Sequence, residues 1–158
     1  IRQRKFDKPR RYNNICSIKD GKRMKESNFQ FTNPSLTYIR FLENETFIRE
    51  QGKNIELETN IRVDMKRIDD SKATVSILIK IGEEEDRMPF VLETKFSANF
   101  RWDNKVSTDQ VELFLNQNAP ALLLSYARPV ISMITNESRY PAYHLPFINF
   151  ADIDKKDV

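Results

Sequence analysis

The sequence predicts an α+β fold: a four-stranded antiparallel sheet packed on a long, kinked C-terminal helix. Three observations predict it. Stretches at 55–65, 73–81 and 90–102 alternate apolar and polar residues with period two. Turn-forming residues separate them at short intervals. From Ser107 onward a helix-start signal leads into apolar residues at helical spacing.

Each element can be justified in chain order. Leu36-Thr37-Tyr38-Ile39-Arg40-Phe41-Leu42 reads as a first strand, with Phe29 and Phe31 before it. Residues 43–54 form a long connection that carries Phe47 and Ile48 and is punctuated by Gly52 and Asn54; loops of that length are often functional. The second strand places Ile55, Leu57, Thr59, Ile61, Val63 and Met65 on one face and charged or amide residues on the other. Asp69-Asp70-Ser71 is the turn into a third strand, with Ala73, Val75, Ile77, Ile79 and Ile81 on its apolar face. Gly82 and the acidic run 83–86 form the next hairpin tip. The fourth strand aligns Phe90, Leu92, Thr94, Phe96, Ala98, Phe100 and Trp102. Short loops between these strands give an antiparallel meander.

Ser107-Thr108-Asp109-Gln110 fits a capping box. Asn118-Ala119-Pro120 is expected to break and restart the helix, since proline is tolerated in a first turn but not deeper. From 121 to 134 apolar residues wrap most of the circumference, and Pro129 is expected to kink the helix near Ser125. A helix apolar nearly all round must be covered on both sides. One sheet covers only one side, so a second copy is expected on the other.

Composition narrows the function. Nine Lys/Arg against two Asp make residues 1–23 a basic arm, while residues 24–158 form the domain, with 17 bases and 21 acids. The arm contains Arg10-Arg11-Tyr12 and offers charge with a stackable ring, so an alternative reading is a nucleic-acid-binding regulator. No apolar run is long enough to cross a bilayer, no signal-like apolar region follows the basic start, and one cysteine, Cys16, forms no internal disulfide or cysteine-cluster zinc site; a cytoplasmic protein is expected. Catalysis is not expected. His144 is the single histidine and has no sequence companion for general base chemistry. Three scattered glycines make no phosphate loop, and contiguous carboxylates at 83–86 read as solvated charge, so neither cofactor nor metal is expected. The seventeen aromatic residues are the stronger anomaly, because several lie outside clean strand or helix faces, as an apolar groove for extended peptide would require.

One family matches this pattern. Asn118-Ala119-Pro120, Tyr126-Ala127-Arg128, Ile131-Ser132-Met133-Ile134, Tyr140-Pro141 and Pro146-Phe147-Ile148-Asn149-Phe150 together resemble the protein-export chaperone SecB, and Ser97-Ala98-Asn99-Phe100 resembles the end of one of its strands. The resemblance covers roughly residues 27–150 and is most specific in the helix. It implies a dimer of dimers with helices packed between sheets. It also implies an ATP-independent holdase that keeps unfolded clients soluble in hydrophobic grooves, either for export or to protect a labile antitoxin. The family's metal-binding tail, which engages the motor SecA, has no counterpart in residues 151–158. Of the acidic positions that contact the motor, Glu93 matches one, while Tyr38 and Leu42 occupy the first-strand positions. Work with SecA is thus a weaker expectation, and Glu93 is the candidate partner contact. Candidate groove residues are Phe29, Phe31, Tyr38, Phe41, Phe47, Ile48, Trp102, Tyr143, Leu145 and Phe147. Leu115, Leu122, Tyr126, Val130 and Met133 are the candidates for subunit packing.

Overall fold

The computed structural model describes residues 27–48, 55–84 and 88–151. The period-two stretches become β3 (Thr59–Asp69), β4 (Lys72–Ile81) and β5 (Phe90–Trp102), preceded by β1 (Phe29–Phe31) and β2 (Ser35–Glu43). All neighbours are antiparallel. β5 and β3 flank β4, and β1 and β2 both pair with the far edge of β5. The five strands therefore occupy the four lanes expected. One lane is interrupted at Thr32-Asn33-Pro34, where proline has no N–H for a ladder.

Register decides what faces the core. Ile77 lies opposite Phe96 and Val63, and Ile79 opposite Thr94 and Ile61. The odd residues of β4 and even residues of β5 thus share one face, and they are buried from Ala73 to Ile81 and from Phe90 to Trp102. The ladder of β3 begins at Thr59, four residues later than the alternation predicts. Its partner β4 ends at Ile81, and Gly82 then turns away with φ +73° while its N–H donates to the Glu58 carbonyl at 2.8 Å.

The helical segment starts as predicted. The Ser107 hydroxyl accepts from the Gln110 N–H at 3.4 Å, opening α1 (Thr108–Leu113). The expected break at 118–120 is not there. One wide turn over Phe114–Asn118, in which the Ala119 N–H reaches the Phe114 carbonyl, joins α1 to α2 (Ala119–Asn136). This i→i+5 bond lets the helix absorb Pro120 in the opening turn of α2 without stopping. Helix α2 also runs through Pro129 as one element. The Ser125 carbonyl that loses its usual donor there belongs to an exposed residue, where water can serve it. Leu123, Leu124, Ala127, Ile131 and Thr135 face the sheet and are buried. The helix lies over β5 and β4.

Candidate functional site

A helix about 10 Å across covers roughly two strands spaced ~4.8 Å apart, so one helix leaves the margins of a four-lane sheet open. The two margins here are treated differently. On the β3 side, the segment after α2 folds back over the gap. The Tyr143 N–H donates to the Thr135 hydroxyl at 2.8 Å, and the Tyr143 and Thr59 hydroxyls lie 2.9 Å apart. Leu145 and Phe150 are buried there. On the β2 side no described segment lies over the sheet. Leu36, Ile39 and Phe31, which register with core residues of β5, are exposed.

The open margin forms a cleft of about 370 Å³ lined by Phe41, Glu43, Met133, Ile134, Glu137 and Ser138. Its floor is apolar and its rim acidic, with Glu43 held by Arg139, whose guanidinium that hydrogen bond pushes above its ordinary value. The stripe Leu122, Tyr126, Val130 and Met133 recurs at helical spacing on α2, and Met133 is 59% exposed. Strand and helix thus meet at an apolar cleft through Phe41, Met133 and Ile134. A second cleft of about 300 Å³ lies at the other margin, lined by Ile55, Leu57, Pro89, Phe90, Tyr140, Pro141, Ala142 and Tyr143. Phe47 meets the Tyr140 ring edge-on at 6.1 Å. The Tyr140 hydroxyl is buried and has no hydrogen-bond partner among the described residues.

The predicted groove residues therefore part company. Phe41 sits in the β2–α2 cleft and Phe31 on the same open margin, while Tyr143 lines the second cleft and Phe47 touches only Tyr140 of its lining. Ile48 is 85% and Phe147 91% exposed, the latter with Arg128 stacked 4.2 Å over its ring. Trp102 and Leu145 are corrections: both are buried in the chain's own core, because β5 alternation turns Trp102 inward and the returning segment seals Leu145. Phe29 is half-buried, stacked on Phe114 at 4.1 Å. Tyr38 faces the opposite side of the sheet, where its hydroxyl donates to Glu93 at 3.2 Å. That partner, with burial as the larger cause, raises the tyrosine's pKa. Of the packing candidates, Leu115 is a second correction, fully buried under the wide turn. Leu36, Ile39, Leu57 and Ile134 were missed as site residues. For Leu36 and Ile39 the signal was present in the first strand, which is apolar on both faces and so needs cover on both.

Comparison with known proteins rests on this geometry. The family model for preprotein translocase subunit SecB matches residues 41–157. The chain belongs to the SecB family. Members are chaperones rather than enzymes. A protein-export protein SecB of Rhodospirillum centenum is 22% identical over 82% of this chain and 73% of its own. An uncharacterized protein of Methanocaldococcus jannaschii is 30% identical over 77% of this chain and 79% of its own. Among solved structures, a SecB-like chaperone of Mycobacterium tuberculosis in complex with a ChAD peptide from the HigA1 antitoxin superposes with a TM-score of 0.58 at 12% identity, covering 76% of this chain and 90% of that one. The sheet-and-helix architecture is thus SecB-like. The basic arm 1–23, which carries the nucleic-acid reading, and the acidic tip beyond Glu84 lie outside the described residues.

Proposed function

We propose that this SecB-family chain is an ATP-independent holdase whose β2–α2 cleft grips extended, non-native polypeptide in the cytoplasm. The carrying observation is the open apolar margin: Phe31, Leu36 and Ile39 are exposed, and half-buried Phe41 and Ile134 line the cleft. Burying such surface is worth about 25 cal/mol per Å², so a client that shields a few of these rings gains several kcal/mol without sequence-specific contacts. Repeated weak grips along one chain then add by effective concentration. Exposed backbone on the outer edge of β2 can pair with an extended client, as edge strands do. The antitoxin peptide bound by the M. tuberculosis relative supports a polypeptide client for this fold, and a labile antitoxin or an export precursor fits the same chemistry. The stripe of half-buried Leu122 and Val130 with exposed Tyr126 and Met133 is proposed to join copies into a dimer of dimers, with client clefts along the joined helices. Glu93 is already engaged by Tyr38 and Arg40, so docking of SecA through it forms no part of the proposal.

Aggregation of several unrelated, chemically unfolded proteins, diluted with and without this protein and without nucleotide, tests the reading. Suppression near equimolar ratio across clients is expected. Ile39→Ser with Phe41→Ser should cut the client affinity about tenfold or more, since each removes ~1–2 kcal/mol of apolar contact. Absent suppression, or suppression unchanged in that variant, sinks the proposal.

A further inference from the structure

The face of the sheet turned away from the helix carries a charge pattern that client binding does not use. Cross-strand register lays its side chains out in rows. Asn60, Lys80, Glu93 and Arg40 form one row, and Arg62, Leu78, Lys95 and Tyr38 the next. Asp64, Ser76, Ser97 and Ser35 follow, then Lys66, Thr74 and Asn99, then Lys72 and Arg101. Seven cations stand in these rows against three anions, Asp64, Glu93 and Asp69, the last in register with Lys72. The rest of the domain is correspondingly acidic, because residues 24–158 hold more acids than bases. Seven of the domain's 17 bases thus share one surface.

Three of the cations are already matched. Arg40 pairs with Glu84 at 2.6 Å and lies 3.8 Å from Glu93, Arg62 pairs with Asp64 at 3.2 Å, and Lys72 with Asp69 at 3.3 Å. Lys66, Lys80, Lys95 and Arg101 have no ion-pair partner among the described residues. Lys80 and Lys95 lie on one side, and Arg101 on the other, of two rows whose central side chains are small and uncharged: Ser35, Ser97 and Ser76, then Thr74 and Asn99, with Asp64 and Lys66 at their β3 ends. These form a shallow trough. Six residues separate Lys95 from Arg101, which sets the flanking cations ~20 Å apart along the strand.

We propose that this trough is a second docking surface, for an acidic polypeptide segment, separate from the apolar client cleft on the opposite side of the sheet. A helix ~10 Å across lies in a ~20 Å trough with acidic side chains reaching the cations on both banks. Single-stranded nucleic acid fits less well, because such binding leans on aromatic platforms. The one ring on this face is Tyr38, at the edge and tied to Glu93. Charge complementarity of this kind gives orientation and rapid encounter more than tight binding, which suits a partner that must be released.

The full-length protein, a fluorescein-labelled poly-glutamate peptide of about 15 residues, long enough to span the trough as a helix, and fluorescence anisotropy at low salt test the assignment. Binding that weakens with salt is expected. Exchanging these four cations for glutamine (Lys66→Gln, Lys80→Gln, Lys95→Gln, Arg101→Gln) should weaken it about tenfold, since each exposed, screened contact is individually weak. Arg10→Ser with Arg11→Ser, in the arm, should leave it within about twofold, the size of a small surface-charge effect. Suppression of client aggregation should survive the four exchanges, which separates this surface from the cleft. Should the quadruple variant fail to fold, Lys66→Gln with Arg101→Gln, both at exposed positions, gives the same test with a smaller loss. No poly-glutamate binding, loss confined to the arm variant, or tighter binding of an oligo(dT) of similar length that the four exchanges abolish would each overturn the proposal.

Discussion

Two residues hold the turns that set this sheet's register. Gly82 adopts φ +73°, and a Cβ there would lie 2.3 Å from the Phe90 carbonyl oxygen, which is backbone and cannot move aside cheaply. Gly82→Ala should therefore destabilise the fold by ~1–3 kcal/mol, read as a lowered midpoint in urea denaturation; an unchanged midpoint would mean the turn is not strained as described. At the other hairpin, the Asp69 carboxylate accepts from the Ser71 N–H at 2.8 Å and the Ser71 hydroxyl at 2.9 Å. The backbone bond is the largest reason its pKa is depressed, followed by the hydroxyl bond; Lys72 adds less. A depressed carboxyl contributes stability above its unfolded pKa and loses it as pH falls through the folded one. Asp69→Asn should flatten that acid-side slope: its midpoint should fall below the parent's at neutral pH, where the carboxylate's contribution is missing, and the two should converge at acid pH. Denaturation midpoints measured from neutral down to acid pH would show it, and parallel curves for both proteins would refute it.

Helix α2 and strand β2 each carry more apolar surface than the subunit covers. On the helix, the face toward the sheet is filled by Leu123, Leu124, Ala127, Ile131 and Thr135, while Tyr126 and Met133 remain exposed beside it. Tyr126→Ala with Met133→Ala should lower the mass seen by light scattering without loss of helical signal. An unchanged mass would remove this stripe from the interface. Thr135 shows how a polar side chain serves the buried face: its hydroxyl donates to the Ile131 carbonyl at 2.9 Å and accepts from Tyr143, fixing where the chain turns back. That return segment is why the β3 margin is closed and the β2 margin open.

The whole molecule divides the two sides of one sheet: an apolar side toward the helix and a polar, cation-rich side toward solvent. The strands, their order in β3–β5 and the helix start at Ser107 were legible in the sequence, because period-two alternation and a capping box are local signals that packing reinforced. SecB-family membership was legible too, through the spaced motifs of the helix and the segment after it. The fate of single aromatic residues was not. Trp102, Leu145 and Leu115 look no different in sequence from Phe41 or Met133, yet the first three are buried, Phe41 is half-buried and Met133 is exposed. The break at Pro120 was misread because a wide turn, which depends on the packing of Phe114 against Phe29 and Phe100, lets the helix continue. By itself the sequence determined which residues alternate, which turns are possible and how charge divides along the chain. Only the tertiary structure decided which apolar residues remain open and which charges share a face, since both depend on strand register and on where one helix lies across four lanes.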